Sequence, residues 1–478
     1  MRRLACALAI MVLVASARAD GFHDFLALLN MTPSQERQAL VDSFIANLPG
    51  GEAPVKEDTM AFFIYSGSAT SMAVAGDMTW WSPDLYMVNV MSTTFWYREL
   101  ACPPDARLDY KFVRNGSEWM LDPLNPHTCA GGYGPNSELA MPDYVQPPEI
   151  DDYGYPPCGI DTYEAFFSPQ LNNSRTIQVV TPPGYDSTAT YPTFIVHDGL
   201  EYVALAYLDR VLAFLAAHYP GATLPICVCV PPVNRTEEYA GSQQQAFGQF
   251  ITETVVPFVN ERYGTTPDDP TRWGSMGASN GGNISLYLAG TYPQQFRRLV
   301  IMSPYVPREQ ADLIAAQPPE TYRIYMNWGS YDIQSLIPLI ESFDDMMEQQ
   351  GIPHQSRLFH EGHSWGLWRA TIDEGLLFCE GVQGGDDASP GVPTTGQLRL
   401  DAYPNPFGSR LKVLLSGTDL PTTISVYDMA GRQHHCEMLP GDQRTWSWQL
   451  ASLPSGPCII EADDGFARAV TRAIRLAQ

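Results

Sequence analysis

Lysine is nearly absent: Lys56, Lys111 and Lys412 are the only three in 478 residues. With 28 basic against 53 acidic side chains the formal net charge is −25, a field that repels phosphate backbones and anionic membrane surfaces and excludes nucleic acid as a natural partner. A bilayer-spanning run is missing as well. The longest apolar stretch, Leu4 to Ala15, is shorter than the roughly 18–20 residues a span requires. No cysteine or histidine spacing suits zinc, and the chemistry developed below needs neither a metal nor an organic cofactor. Disorder is excluded outside linkers by a composition of 45% hydrophobic and 11% aromatic residues, and the length allows roughly two to four domains.

The chain opens with a basic Arg2-Arg3, the apolar run and a small-residue "ARA" ending at Ala19. This is the pattern of a signal peptide over 1–19 and predicts an exported, secreted or cell-surface protein of bacterial type. Its loss removes three arginines and takes the net charge to −28. Eight cysteines would remain, and export would let them oxidise. Cys102 with Cys129, Cys158 with Cys379 and Cys436 with Cys458 are conceivable pairs, whereas Cys227 and Cys229 share one strand face and read as buried thiols.

A helical leader is expected over 20–58, with Thr32 as N-cap, Pro33 at the first position and Gln35 completing a capping box. Leu40, Val41, Phe44, Ile45 and Leu48 form its apolar stripe. Residues 59–145 alternate short β-rich runs with turns, which predicts a small β-sandwich. From 146 to 380, apolar strands such as "FIVHDG", "ICVCVPP" and "RLVIMSPY" alternate with helical stretches, which calls for a parallel sheet with helices on both faces. "GVQGGDDASPGVPTTG", 381–396, has the composition of a linker, and 397–478 again alternates strands and turns.

A serine hydroxyl is a weak nucleophile, so it needs a base, an acid behind that base and N–H donors for the oxyanion. Within "WGSMGASNGG", Ser279 stands in Gly-x-Ser-x-Gly, between a strand reading "TRWGSM" and a helix reading "NGGNISLYLAG", as a nucleophile elbow requires. Ser275 lacks the first glycine and falls on the strand. Downstream, Asp332 in "GSYDI" and His363 in "EGHSWGLWR" each follow a strand, in the order Ser, Asp, His of an α/β-hydrolase. The Asn280 and Leu200 amides are the expected oxyanion donors, with Gly199 letting the backbone approach. His360 lies within its strand, Glu361 would need the loop to fold back, and Asp344 and Asp345 sit mid-helix. His197 reads as a wall of the site, and Arg235, Tyr239 and Trp365 as substrate-facing candidates.

Three stretches resemble known families. "HDGLEY", "NRTEEYAGSQQQAFGQFITETVVPFVNERYG", "WGSMGASNGGN", "GSYDI" and "EGHSWGLWR" together resemble the putative-esterase superfamily, which includes enterochelin esterases and carbohydrate esterase family 1. That resemblance implies an α/β-hydrolase fold with Ser279 as nucleophile, Asp332 as acid and His363 as base. "VAGDMTWWSP" and "YKFVRNGSEWMLDPLNP" resemble early-set, immunoglobulin-like domains related to carbohydrate-binding module family 48, in which Trp80, Trp81 and Trp119 could meet sugar faces or serve as core. "YPNPF", "VYDMAGR" and "LPSGPCII" resemble C-terminal sorting sandwiches of type IX secretion and FlgD-like folds, implying the secretion machinery or the cell surface as a partner. The expected substrate is an ester-bearing small molecule or polysaccharide: feruloyl or acetyl esters, or alternatively a siderophore lactone. A surface-binding protein with an inactive hydrolase scaffold is the reading of another class.

Overall fold

The computed structural model describes residues 21–57, 59–381, 399–403, 410–416, 422–428, 432–439, 445–450, 453–463 and 468–475. The expected signal peptide and almost all of the expected linker lie outside these residues. The chain divides into two compact units, residues 1–104 with 110–128, and residues 105–109 with 129–478.

An eight-stranded sheet dominates the second unit. Its strands are β1 (Gly159–Ser168), β2 (Asn173–Thr181), β3 (Thr193–His197), β4 (Ile226–Val230), β5 (Trp273–Ala278), β6 (Arg298–Met302), β7 (Arg323–Tyr331) and β8 (His354–Gly362), in spatial order β1-β2-β4-β3-β5-β6-β7-β8. The sheet is mixed instead of wholly parallel. β1 and β2 are joined by only four residues, too few for a crossover, so they form an antiparallel hairpin, and β2 then meets β4 antiparallel. From β4 to β8 every pairing is parallel.

Alternate residues of these strands enter two separate cores. Ile195, Val228, Ile301 and Met326 pack on one face, while Phe194, Cys227, Val300 and Tyr325 pack on the other. That period-2 split is what burial on both faces of a sheet produces. Helices α1 (Gly199–Ala204) and α2 (Leu208–His218) cover the second face; α3 (Arg235–Ala240), α4 (Asn280–Thr291) and α5 (Ile337–Gln350) cover the first. Further along the chain, seven strands among the described residues between Arg399 and Arg475 form two antiparallel sheets around Leu411, Val413, Ile424, Val426 and Ile460.

In the first unit, helices Phe22–Met31 and Arg37–Ala46 pack with strands that include Met60–Ser66 and Phe95–Ala101. The leader differs from expectation at its capping residue. Thr32 does not start a helix: it is the C-cap of the first one, its hydroxyl donating to the Leu28 carbonyl at 2.8 Å, and the second helix begins at Arg37. A Thr-Pro pair suits a helix end as well as a start, because the residue before proline is driven out of the helical region. Val41 is fully buried in this core, with Leu40, Phe44, Ile45 and Leu48 packed beside it. Trp80 and Trp119 are exposed, and Trp80 and Trp81 both adopt left-handed backbone conformations.

Cys129, Cys158, Cys379 and Cys436 are free thiols, which removes all three conceivable disulfides. Cys227 and Cys229 are buried, as expected of alternate residues on one face of β4.

Candidate active site

The candidate residues converge at the C-terminal ends of adjacent parallel strands. Ser279 follows β5, Ser303 follows β6, Asp332 follows β7 and His363 follows β8. Ser279 has φ 58° and ψ −121°, a conformation L-residues rarely adopt. The turn is held open by what surrounds it. Its N–H donates to the Met302 carbonyl at 2.9 Å, and its carbonyl accepts from the amides of Gly282, Asn283 and Tyr305. Gly277 is required because a Cβ there would lie 2.6 Å from the Gly281 backbone, and Gly282 because its Cβ would lie 2.6 Å from Pro304. The glycines therefore permit both the strain and the close packing behind it.

Asp332 is fully buried. Its Oδ1 bonds His363 Nδ1 at 2.7 Å and accepts the Ile333 amide at 2.6 Å. Burial alone would raise its pKa, but the facing His363, the hydrogen bond to it, the Ser303 hydroxyl and the Ile333 N–H together hold the carboxyl below the usual carboxylate range. With Nδ1 engaged, His363 keeps Nε2 for other work, and its side chain is 19% exposed. Ser303 was not foreseen. Its hydroxyl also accepts the Trp368 indole N–H at 3.1 Å, so it ties the acid to the ring that packs edge-on against His363, 5.1 Å away. Only the "MSP" at a strand end hinted at it.

The loop between β3 and α1 lies beside the elbow. A Cβ on Gly281 would sit 3.2 Å from Asp198 Oδ2. Asp198, itself left-handed at φ 58°, is gripped by Arg235 through Nε and Nη2, each at 2.8 Å, and Nη2 also donates to the Ala278 carbonyl at 3.2 Å. Arg235 thus joins the loop before Leu200 to the residue before Ser279. Tyr239 is fully buried, and its hydroxyl accepts the Asp198 N–H at 2.9 Å. His197 is equally buried, and burial pushes its pKa down to about 3, so the ring is neutral. Its Nε2 bonds Ser275 Oγ at 2.9 Å, and Ser275 donates to Ser285. His197 and Tyr239 were expected to face substrate. Both are sealed from solvent, so they brace the loop that carries Asp198 and the elbow instead.

Leu200 and Asn280 occupy the first turns of α1 and α4, where amides have no acceptor within the helix. Trp365 stacks edge-on with Tyr202, 5.2 Å away, and with Trp368, 5.1 Å away, forming an aromatic wall beside His363. The competing acids and bases have other partners: His360 bonds Asp105 at 2.7 Å, Asp344 lies 3.5 Å from His354, and Glu361 lies 3.5 Å from Arg107. No cluster of metal-binding side chains occurs among the described residues.

Gly199 packs directly on the backbone of Cys229 and Val230, leaving no space for a Cβ. A Gly199→Ala variant must therefore shift the loop that carries the Leu200 amide. The expected result is a fall in kcat of about 100-fold, the cost of one lost oxyanion donor, with KM changed little; steady-state kinetics on p-nitrophenyl acetate checks it.

Residues 168–379 match the family described as Putative esterase. The chain is similar to two proteins of Bacillus subtilis (strain 168). The uncharacterized protein YjcH is 26% identical over 235 residues, covering 46% of this chain and 98% of YjcH. The uncharacterized protein YbbA is 26% identical over 177 residues, covering 33% of this chain and 68% of YbbA. Among solved structures, the ferric enterobactin esterase of Salmonella typhimurium shares the fold, with a TM-score of 0.58 at 18% identity over 70% of this chain and 97% of that one. The family match spans the whole segment that carries Ser279, Asp332 and His363, and the chain is an esterase.

Proposed function

We propose that the chain hydrolyses carboxylic esters through Ser279, His363 and Asp332. Ser279 Oγ attacks the ester carbonyl while His363 Nε2 takes its proton; the same nitrogen then protonates the leaving alcohol. The Asn280 and Leu200 amides receive the oxyanion. Water, deprotonated by His363, releases the acid. The observation that carries this reading is the 2.7 Å bond from His363 Nδ1 to a fully buried, ionised Asp332, placed on a strand end two strands from a strained Ser279.

The substrate we infer is a feruloyl or acetyl ester of a polysaccharide, met outside the cell. Supporting this are the signal-peptide pattern and a net charge of −25 that favours neutral esters over polyanions. A second reading, a siderophore lactone, is supported by the fold shared with enterobactin esterase. Ranking methyl ferulate, acetylated xylan and a catecholate trilactone by kcat/KM separates them. The polysaccharide reading expects one of the first two to lead, and a lead by the trilactone overturns it.

A further inference from the structure

Far from Ser279 in sequence, the segment Asp105–Asp109 belongs to the second unit and brings one arginine under the histidine loop. Arg107 is fully buried. Its Nε and Nη2 both donate to Glu138 Oε2, at 3.0 and 2.8 Å, and Nη2 donates to Asp109 Oδ1 at 2.6 Å. These carboxylates are themselves fixed: Gln146 donates to Glu138 Oε1 at 2.5 Å, Arg369 lies 3.5 Å from Glu138, and Asn136 donates to Asp109 at 3.0 Å. The remaining arm of the guanidinium, Nη1, points at the loop. It donates to Ser364 Oγ at 3.3 Å, lies 3.5 Å from Glu361 Oε2 and packs so closely on Gly366 that a Cβ there has no room.

Glu361, Ser364 and Gly366 bracket His363 on both sides. We propose that Arg107 is a positioning residue for His363, a buried fork whose inner arms are anchored on Glu138 and Asp109 and whose outer arm fixes the loop carrying the base. The inference rests on His363 being the base. Three features favour a positioning task over mere packing. The fork contacts both flanks of one functional residue. Each of its anchoring carboxylates has a second partner, so the anchor is rigid. A planar guanidinium also holds several oxygens in fixed directions, as an ammonium does not. Burial drives the Glu361 carboxyl up and Arg107 is the main group that draws it back, leaving it at about 7; without the cation it rises further, Glu361 stays protonated at neutral pH and that half of the grip lapses. A base displaced by about 1 Å can cost 100-fold in rate.

The test uses the full chain with Arg107→Met, Arg107→Lys, the double variant Ser364→Ala/Glu361→Gln and His363→Ala, all on p-nitrophenyl acetate. Circular dichroism and Tm identify the folded variants. Folded Arg107→Met is expected to lose about 100-fold in kcat with KM within about threefold, and Arg107→Lys to recover about tenfold of that loss. If Arg107→Met does not fold, the double variant, which cuts the same contacts from the loop side, is expected to lose about tenfold in kcat at unchanged KM. A folded Arg107→Met or double variant with wild-type kcat overturns the proposal, as does a lysine variant no better than the methionine one. Wild-type activity in His363→Ala would instead overturn the assignment of the base. An inactive His363→Ala beside a fully active Arg107→Met would remove the arginine's role alone.

Discussion

Replacing Ser279 with alanine lowers kcat for ester hydrolysis by roughly 10⁵-fold or more, down to the residue of catalysis that binding and the oxyanion donors supply. The loss is this large because a triad acts as a unit: without Oγ there is no covalent intermediate, and His363 and Asp332 have nothing to activate. The fold survives. Ser279 is only half-buried and its side chain supports no neighbour by which the elbow is held, since the contacts fixing that turn run through its backbone N–H and C=O. Alanine must still occupy a backbone with φ 58°, so Tm changes little in either direction. Ser275→Ala gives the contrasting outcome. Ser275 is fully buried between His197 and Ser285, so its loss lowers Tm while most of the activity stays. Parallel kinetics and melting curves on the two variants check both outcomes.

Asp332→Asn lowers kcat by about 10⁴-fold, the cost of an imidazole held in the wrong tautomer by an amide that no longer balances its charge. This substitution also changes how stability depends on pH. The native Asp332 carboxyl titrates below its unfolded value, so the stability it contributes is fully present above the unfolded value of about 3.9 and is lost as pH falls through the lower native one. Asparagine has nothing to titrate. The Tm of the variant therefore lies below that of the wild type at pH 7, and the gap closes as pH falls toward 3. A gap that stays constant over this range would mean that Asp332 is not the ionised partner of His363.

The order Ser279, Asp332, His363 at strand ends was legible because it is written in short local patterns. A glycine-flanked serine between a strand and a helix, and an aspartate and a histidine just past two later strands, need no knowledge of distant contacts. What joins them was not legible. Ser303 carries no motif, and its hydrogen bond to Asp332 depends on β6 and β7 being neighbours. Arg235 and Tyr239 read as substrate-facing because "NRTEEY" resembles a family segment near the site; only the packing reveals that they clamp Asp198. Arg107 lies 256 residues before His363 and in a stretch that reads as part of another domain. The antiparallel start of the sheet was missed for a related reason. Apolar runs give the presence of strands but not their direction, and only the four-residue connection from β1 to β2 decides it.

The central claim is that Ser279 is the acyl-accepting nucleophile. Its most direct test is to label the full chain with a fluorophosphonate, measure the intact mass and map the adduct by peptide sequencing. The account predicts one adduct per chain on Ser279, formed with loss of esterase activity and absent from Ser279→Ala. An adduct on another residue with equal loss of activity, or full activity in a chain labelled at Ser279, would contradict it.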